Sequence, residues 1–201
     1  MMICSRMGFF GAVLGVSFLS AWAGTEKPPI SGPQPGDSVY AFEPWHVSGP
    51  DKGTNTCPIC KYGKTAAVQM WVNQDSAASI VGVAQALDKE IAHYGAARLK
   101  AFVVQLNSRH EPKSKLSAGL TSLANRAHTP TVAFTFLPNA NDPAIEAYRI
   151  NTQPNIKNTV VVYVNRKAVA TFVNFKLDGA GRSNLHSAIA KSVSGFRRVK
   201  E

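Results

Sequence analysis

The stretch Thr54–Ile80, "TNTCPICKYGKTAAVQMWVNQDSAASI", decides how this chain is read. Its centre, "TAAVQMWV", is an uninterrupted apolar run of strand length, as a strand buried on both faces requires. Behind it, "SAASIVGVAQALDKEIAHYG" places Ile80, Val83, Ala84, Leu87 and Ile91 on one face of a helix. Asp75 or Ser76 is suited to cap that helix and Gly95 to end it. Ahead of the strand stands a Cys-x-x-Cys pair, Cys57 and Cys60. The order is therefore thiol pair, strand, helix.

Working outward, the same alternation continues. "LKAFVVQL" reads as a strand, "KSKLSAGLTSLANRA" as a helix, "TVAFTFL" as a strand and "DPAIEAYRI" as a short helix with Pro143 in its first turn. "NTVVVYVNRKAVATFVNF" gives two strand-like runs that meet at Asn165-Arg166, where Asn tolerates the positive φ of a tight hairpin. A helix around "SNLHSAIAKSV" closes the pattern. Strands separated by helices imply parallel crossovers, and the terminal hairpin adds antiparallel strands. The expectation is a three-layer α/β/α domain with a mixed sheet over residues 38–201. "SVYAFEPWHVSG", broken by Pro44, suits an irregular N-terminal hairpin at an edge.

The N-terminus has a different character. Arg6 precedes an apolar run that ends in Ala21-Trp22-Ala23, the pattern of a secretory signal cleaved after Ala23. The run is shorter than a membrane span needs, and no later segment is long and apolar enough to be one. No cysteine follows the cleavage point, which disfavours a lipid anchor there. Residues 24–37, "GTEKPPISGPQPGD", read as an extended, mobile Pro/Gly leader. The mature protein is thus expected to be exported, to a periplasm or outside the cell, without a membrane span.

Cleavage removes Cys4 and Arg6, leaving Cys57 and Cys60 as the only cysteines and lowering the formal charge by one unit from +10 to +9. The cations are scattered rather than arranged in an aromatic-interleaved stripe, so specific nucleic-acid binding is not indicated. Oligomeric state is not legible.

The order of these pieces resembles the thioredoxin-like superfamily, in particular its redoxin branch of peroxiredoxin-like and TlpA-like proteins. The matching pieces are "PGDSVYAFEPWHVSG", Gly63-Lys64, "AAVQMWV", the helix from Ser76, and "AIEAYRI" before the closing hairpin, from about Gly36 to Val193. The resemblance implies a thioredoxin-like fold and, for an active member, exchange with protein thiols or disulfides without a bound cofactor. It also implies a Cys-x-x-Cys at the start of the helix that follows the central strand, and a cis-proline before the penultimate strand. Here "VNQDSAAS" stands at the first place and Ile156-Lys157-Asn158-Thr159 at the second. The inherited site and a peroxiredoxin reaction are therefore not expected.

For Cys57 and Cys60 three readings stand. In an oxidising compartment the pair closes into a structural disulfide, in a non-enzymatic module whose redox-silent surface binds other proteins, and a ring of roughly four residues contributes only about 2 kcal/mol by chain entropy. As a redox pair it is the catalytic site of thiol-disulfide exchange or redox sensing, with Lys61 and Lys64 favouring thiolate and Cys57, by analogy, the attacking sulfur. As a metal site, in a non-enzymatic binding module, the two thiolates suit copper or, with further ligands such as His46, zinc. Lys61 after Cys60 excludes c-type haem attachment. By the strand's length, about 25 Å, the pair is expected at the pole opposite the customary redoxin site. At that customary place Asn73 and Asp75 are candidate small-ligand contacts. Trp71 and Phe102 are expected in the core.

Overall fold

The computed structural model describes residues 29–198; the expected signal segment and residues 24–28 of the leader lie outside them. Six strands form one mixed sheet in the order β1-β4-β3-β2-β5-β6. They are β1 (Trp45–His46), β2 (Ala66–Val72), β3 (Leu99–Gln105), β4 (Val132–Phe136), β5 (Asn158–Val164) and β6 (Lys167–Val173). β2, β3 and β4 run parallel; β5 and β6 follow as antiparallel neighbours, and β1 pairs antiparallel with β4.

The helices are α1 (Pro58–Tyr62), α2 (Ala77–Tyr94), α3 (Lys113–Ala127), α4 (Pro143–Ala147) and α5 (Gly179–Arg198). β2 is buried at every position. Its Ala66, Val68, Met70 and Val72 face α2, α3 and α5, whereas Ala67 and Trp71 face the layer built from α1, α4 and the N-terminal segment. Both crossovers that step the same way across the sheet, through α2 and α3, put their helices on one face, as right-handed connections must. Ile80, Val83, Ala84, Leu87 and Ile91 of α2 are all buried there. Trp71 and Phe102 are core residues, 1% and 3% exposed.

The β5–β6 turn places Asn165 and Arg166 at φ 52° and 59°, the two positive values of a type I′ turn. The N-terminal segment differs from its sequence reading. Ser38 bridges Lys167 on β6, while Trp45 and His46 pair with β4 at the far edge, so the chain crosses one whole face of the sheet. Its hairpin is reduced to one return: His46 N–H donates to Thr54 O and Gly53 N–H to His46 O.

Residues 29–37, which turn at Gln34–Asp37, are docked rather than mobile. Ser31 is fully buried with its hydroxyl 2.6 Å from Thr159 Oγ1, and Gly32 N–H donates to Arg149 O. The cause is β5: its outer face offers Thr159 and the cleft beside Thr171, and Gly32, at φ 84°, brings its backbone into contact with both threonine methyls.

Candidate functional site

Cys57 and Cys60 are joined as a disulfide, with Cα atoms 5.3 Å apart. They stand at the start of α1. Cys57 is the N-cap, its Sγ accepting from Cys60 N–H at 3.0 Å, and Pro58 takes the first helical position. Gly63 ends the helix, and no Cβ fits there: it would fall 2.3 Å from Ile59 O and 3.0 Å from Arg166 Cγ. Gly63 O in turn accepts from Arg166 N–H, which ties α1 to the β5–β6 turn.

Cys57 is half-buried against the core cluster of Trp71 and Phe102, and Cys60 is exposed. Beneath them Asp51, only 6% exposed, accepts from Lys61 Nζ at 2.5 Å and from Tyr62 Oη at 2.9 Å. Burial pushes the Asp51 carboxyl up, but these two donors outweigh it and hold its pKa below the usual value. The Lys61 pKa is raised chiefly by its bond to Asp51, so the cation expected to favour a thiolate is already matched by a carboxylate. Lys100 lies over the Tyr62 ring, 4.8 Å from its centroid, and burial lowers its pKa.

His46 is fully buried, and its Nε2–H donates to Thr56 O at 2.8 Å. Burial lowers its pKa and keeps the ring neutral. The nitrogen it would offer to a metal at the pair is thus engaged with backbone, and Nδ1 is buried without a hydrogen-bond partner. Among the described residues, no group of three or more His, Cys, Asp and Glu is arranged to hold a metal ion.

At the C-terminal ends of β2 and β3 a cleft of about 280 Å³ opens, lined by Asn73, Asp75, Asn107 and Glu111 among others. β2 separates it from the disulfide by seven residues, about 23 Å, so the two features lie at opposite poles. Its polar groups serve the fold. Asn73 Nδ2 donates to Thr152 O, Gln153 O and Ile156 O, and its Oδ1 accepts from Ser108 Oγ. Asp75 accepts from Ser76 N–H, Ser79 Oγ and Asn158 Nδ2, while Ser76 caps α2. The side chains of both Asn73 and Asp75 are thus engaged within the fold while lining the cleft. Among the described residues no peptide bond is cis.

Strand order, the crossover helices on one face and the closing hairpin with its helix settle the architecture. The fold is thioredoxin-like. Solved structures share it at low identity. The candidate thiol:disulfide interchange protein DsbE of Chlorobium tepidum superposes with a TM-score of 0.58 at 12% identity, over 80% of this chain and 98% of its own. The thioredoxin domain of a Bacteroides vulgatus thiol-disulfide oxidoreductase gives 0.54 at 12%, over 76% and 95%. Arabidopsis thaliana ScoI with copper bound gives 0.53 at 8%, over 77% and 99%. No family model and no curated protein sequence matches the chain.

Sequence reasoning located Cys57 and Cys60 but missed α1, Asp51 and Tyr62. Pro58 just inside and Gly63 just past "PICKY" are the start and stop of a short helix. Asp51 carried no such mark, because it meets Lys61 and Tyr62 only through the tertiary fold.

Proposed function

We propose that this is an exported thioredoxin-like protein whose Cys57–Cys60 pair exchanges disulfides with protein thiols or reports on redox state. The observation that carries this reading is the disulfide's setting. It bridges a half-buried and an exposed cysteine on a thioredoxin-like scaffold, with an amide N–H aimed at one sulfur.

A staple is a weaker reason for the pair: its two cysteines are three residues apart, a ring that constrains the unfolded chain by only about 2 kcal/mol. The sheet, by contrast, is built from strands distant in sequence and needs no clamp in α1. Export is supported by the N-terminal apolar run ending at Ala23, which also sets the compartment in which an open disulfide persists. Among the described residues no helix is long and apolar enough to cross a membrane.

A glutathione redox titration of the mature protein, read by thiol-specific mass labelling, tests the proposal. A pair that exchanges has a reduction potential above about −300 mV. A pair that stays oxidised through the titratable range is a staple.

A further inference from the structure

We infer that partner thiols exchange with the pair through Cys60, and that Cys57 is the sulfur that leaves and later resolves. This rests on the redox reading above and reverses the assignment that analogy gives to the first cysteine of such motifs.

Two independent observations fix the polarity. Cys60 is exposed, whereas Cys57 is half-buried and packed against the cluster that contains Ile59 and Trp71. An incoming thiolate approaches a disulfide along the sulfur–sulfur axis, from behind the atom it attacks. Cys60 is therefore the cysteine open to an incoming thiolate from solvent, and Cys57 is the more shielded of the two. The second observation is the hydrogen bond from Cys60 N–H to Cys57 Sγ at 3.0 Å. A donor at that distance stabilises negative charge on Cys57, which makes it the better leaving group. Lys61 adds little to either sulfur's preference, because Asp51 already pairs its charge.

A partner thiolate attacks Cys60 Sγ, a partner–Cys60 disulfide forms, and the Cys57–Cys60 bond breaks with its electron pair on Cys57 Sγ. A second partner thiolate then attacks the partner's own sulfur in the mixed disulfide. The partner leaves as a disulfide, oxidised by two electrons, and the pair is left as a dithiol. The two protons given up by the partner thiols end on the two cysteines or in water. In reverse, Cys60 thiolate attacks a partner disulfide and Cys57 resolves it.

The test compares Cys57→Ser and Cys60→Ser, reduced, in reaction with glutathione disulfide at about pH 10, where both thiols are ionised so that access and intrinsic nucleophilicity alone set the rates, with circular dichroism confirming that both fold. Cys57→Ser, which keeps Cys60, should form a glutathione mixed disulfide at least tenfold faster than Cys60→Ser. Equal rates, or a faster Cys60→Ser, overturn the assignment. A second measurement needs no variant. Oxidised wild type is treated with substoichiometric glutathione and quenched in acid, and the adduct is located by fragmentation between Cys57 and Cys60. An adduct on Cys60 supports the inference and one on Cys57 overturns it. Failure of the redox reading shows separately, as wild-type exchange of a peptide disulfide no faster than that of a variant with both cysteines replaced.

Discussion

The Nε2–H of His46 donates to the carbonyl oxygen of Thr56 at 2.8 Å, so a fully buried imidazole on β1 holds the residue immediately before Cys57. The ring is neutral because burial lowers its pKa below 6.5. Asp51, Lys61 and the cluster of Phe102 surround it without offering Nδ1 a partner. Between the folded-state pKa and 6.5 the native protein binds fewer protons than the unfolded chain, so stability rises with pH across that window. Urea midpoints should therefore fall as pH drops below about 6.5. They should fall again below the ordinary carboxyl value of 3.8, as Asp51 is protonated through its depressed pKa. His46→Leu should abolish the upper of these two changes and lower stability by about 1–2 kcal/mol. A midpoint insensitive to pH between 7.5 and 5 contradicts the buried neutral ring.

Asn73 belongs to "VNQDSAAS", the segment where the redoxin resemblance puts a thiol pair. Its side chain donates to three backbone carbonyls of the segment that precedes β5 and accepts from Ser108. Asn73→Ala leaves those carbonyls without their donor, at a cost of about 2–3 kcal/mol. Asn73→Asp turns donor into acceptor and should cost at least as much. Chemical denaturation measures both, and neither substitution should change the rate of exchange at the opposite pole.

The type I′ turn carries Arg166 at φ 59°, a conformation that costs a residue with a Cβ about 1 kcal/mol. Arg166→Gly produces the Asn-Gly pair that such turns prefer. It should raise the melting temperature by roughly 2–4 °C, less whatever the Arg166 side chain gains by lying over Gly63. Calorimetry measures the rise, and an unchanged or lower melting temperature contradicts it.

Charge around the disulfide is one-sided. Lys52, Lys64, Arg98, Lys100, Arg166 and Lys167 lie at the ends of β2 and β3 nearest α1 or in the loops and turn beside them. Among the described residues, Asp37 and Asp51 on that side are each paired, with Arg149 and Lys61. Exchange with a cysteine peptide flanked by glutamates should be faster than with a lysine-flanked one. The difference should shrink between 20 mM and 500 mM salt as screening lengths shorten. Stopped-flow fluorescence of labelled peptides measures it.

Much of this architecture is legible from periodicity. The apolar run at Ala66–Val72 and the i, i+3, i+4 spacing of Ile80 to Ile91 report burial that the sheet and α2 then display. What was hidden depends on contacts between distant residues. Nothing local tells that Ser31 meets Thr159, 128 residues on, so a Pro/Gly segment that reads as mobile is docked. Cysteine is not an ordinary helix cap, which hid α1, and the Lys61 charge read as free is neutralised by Asp51 ten positions earlier. His46 looked available to a metal because its bond to Thr56 depends on how residues 47–53 return on themselves.

The central claim is that Cys57 and Cys60 form an exchanging pair. Its most direct measurement is the rate at which the oxidised mature protein transfers its disulfide to a reduced two-cysteine protein, followed by mass-resolved thiol labelling. Wild type should oxidise the partner in step with its own reduction, one disulfide lost for each gained, and the variant with both cysteines changed to serine should do nothing above the uncatalysed rate. A wild type that keeps its disulfide while the partner stays reduced contradicts the account.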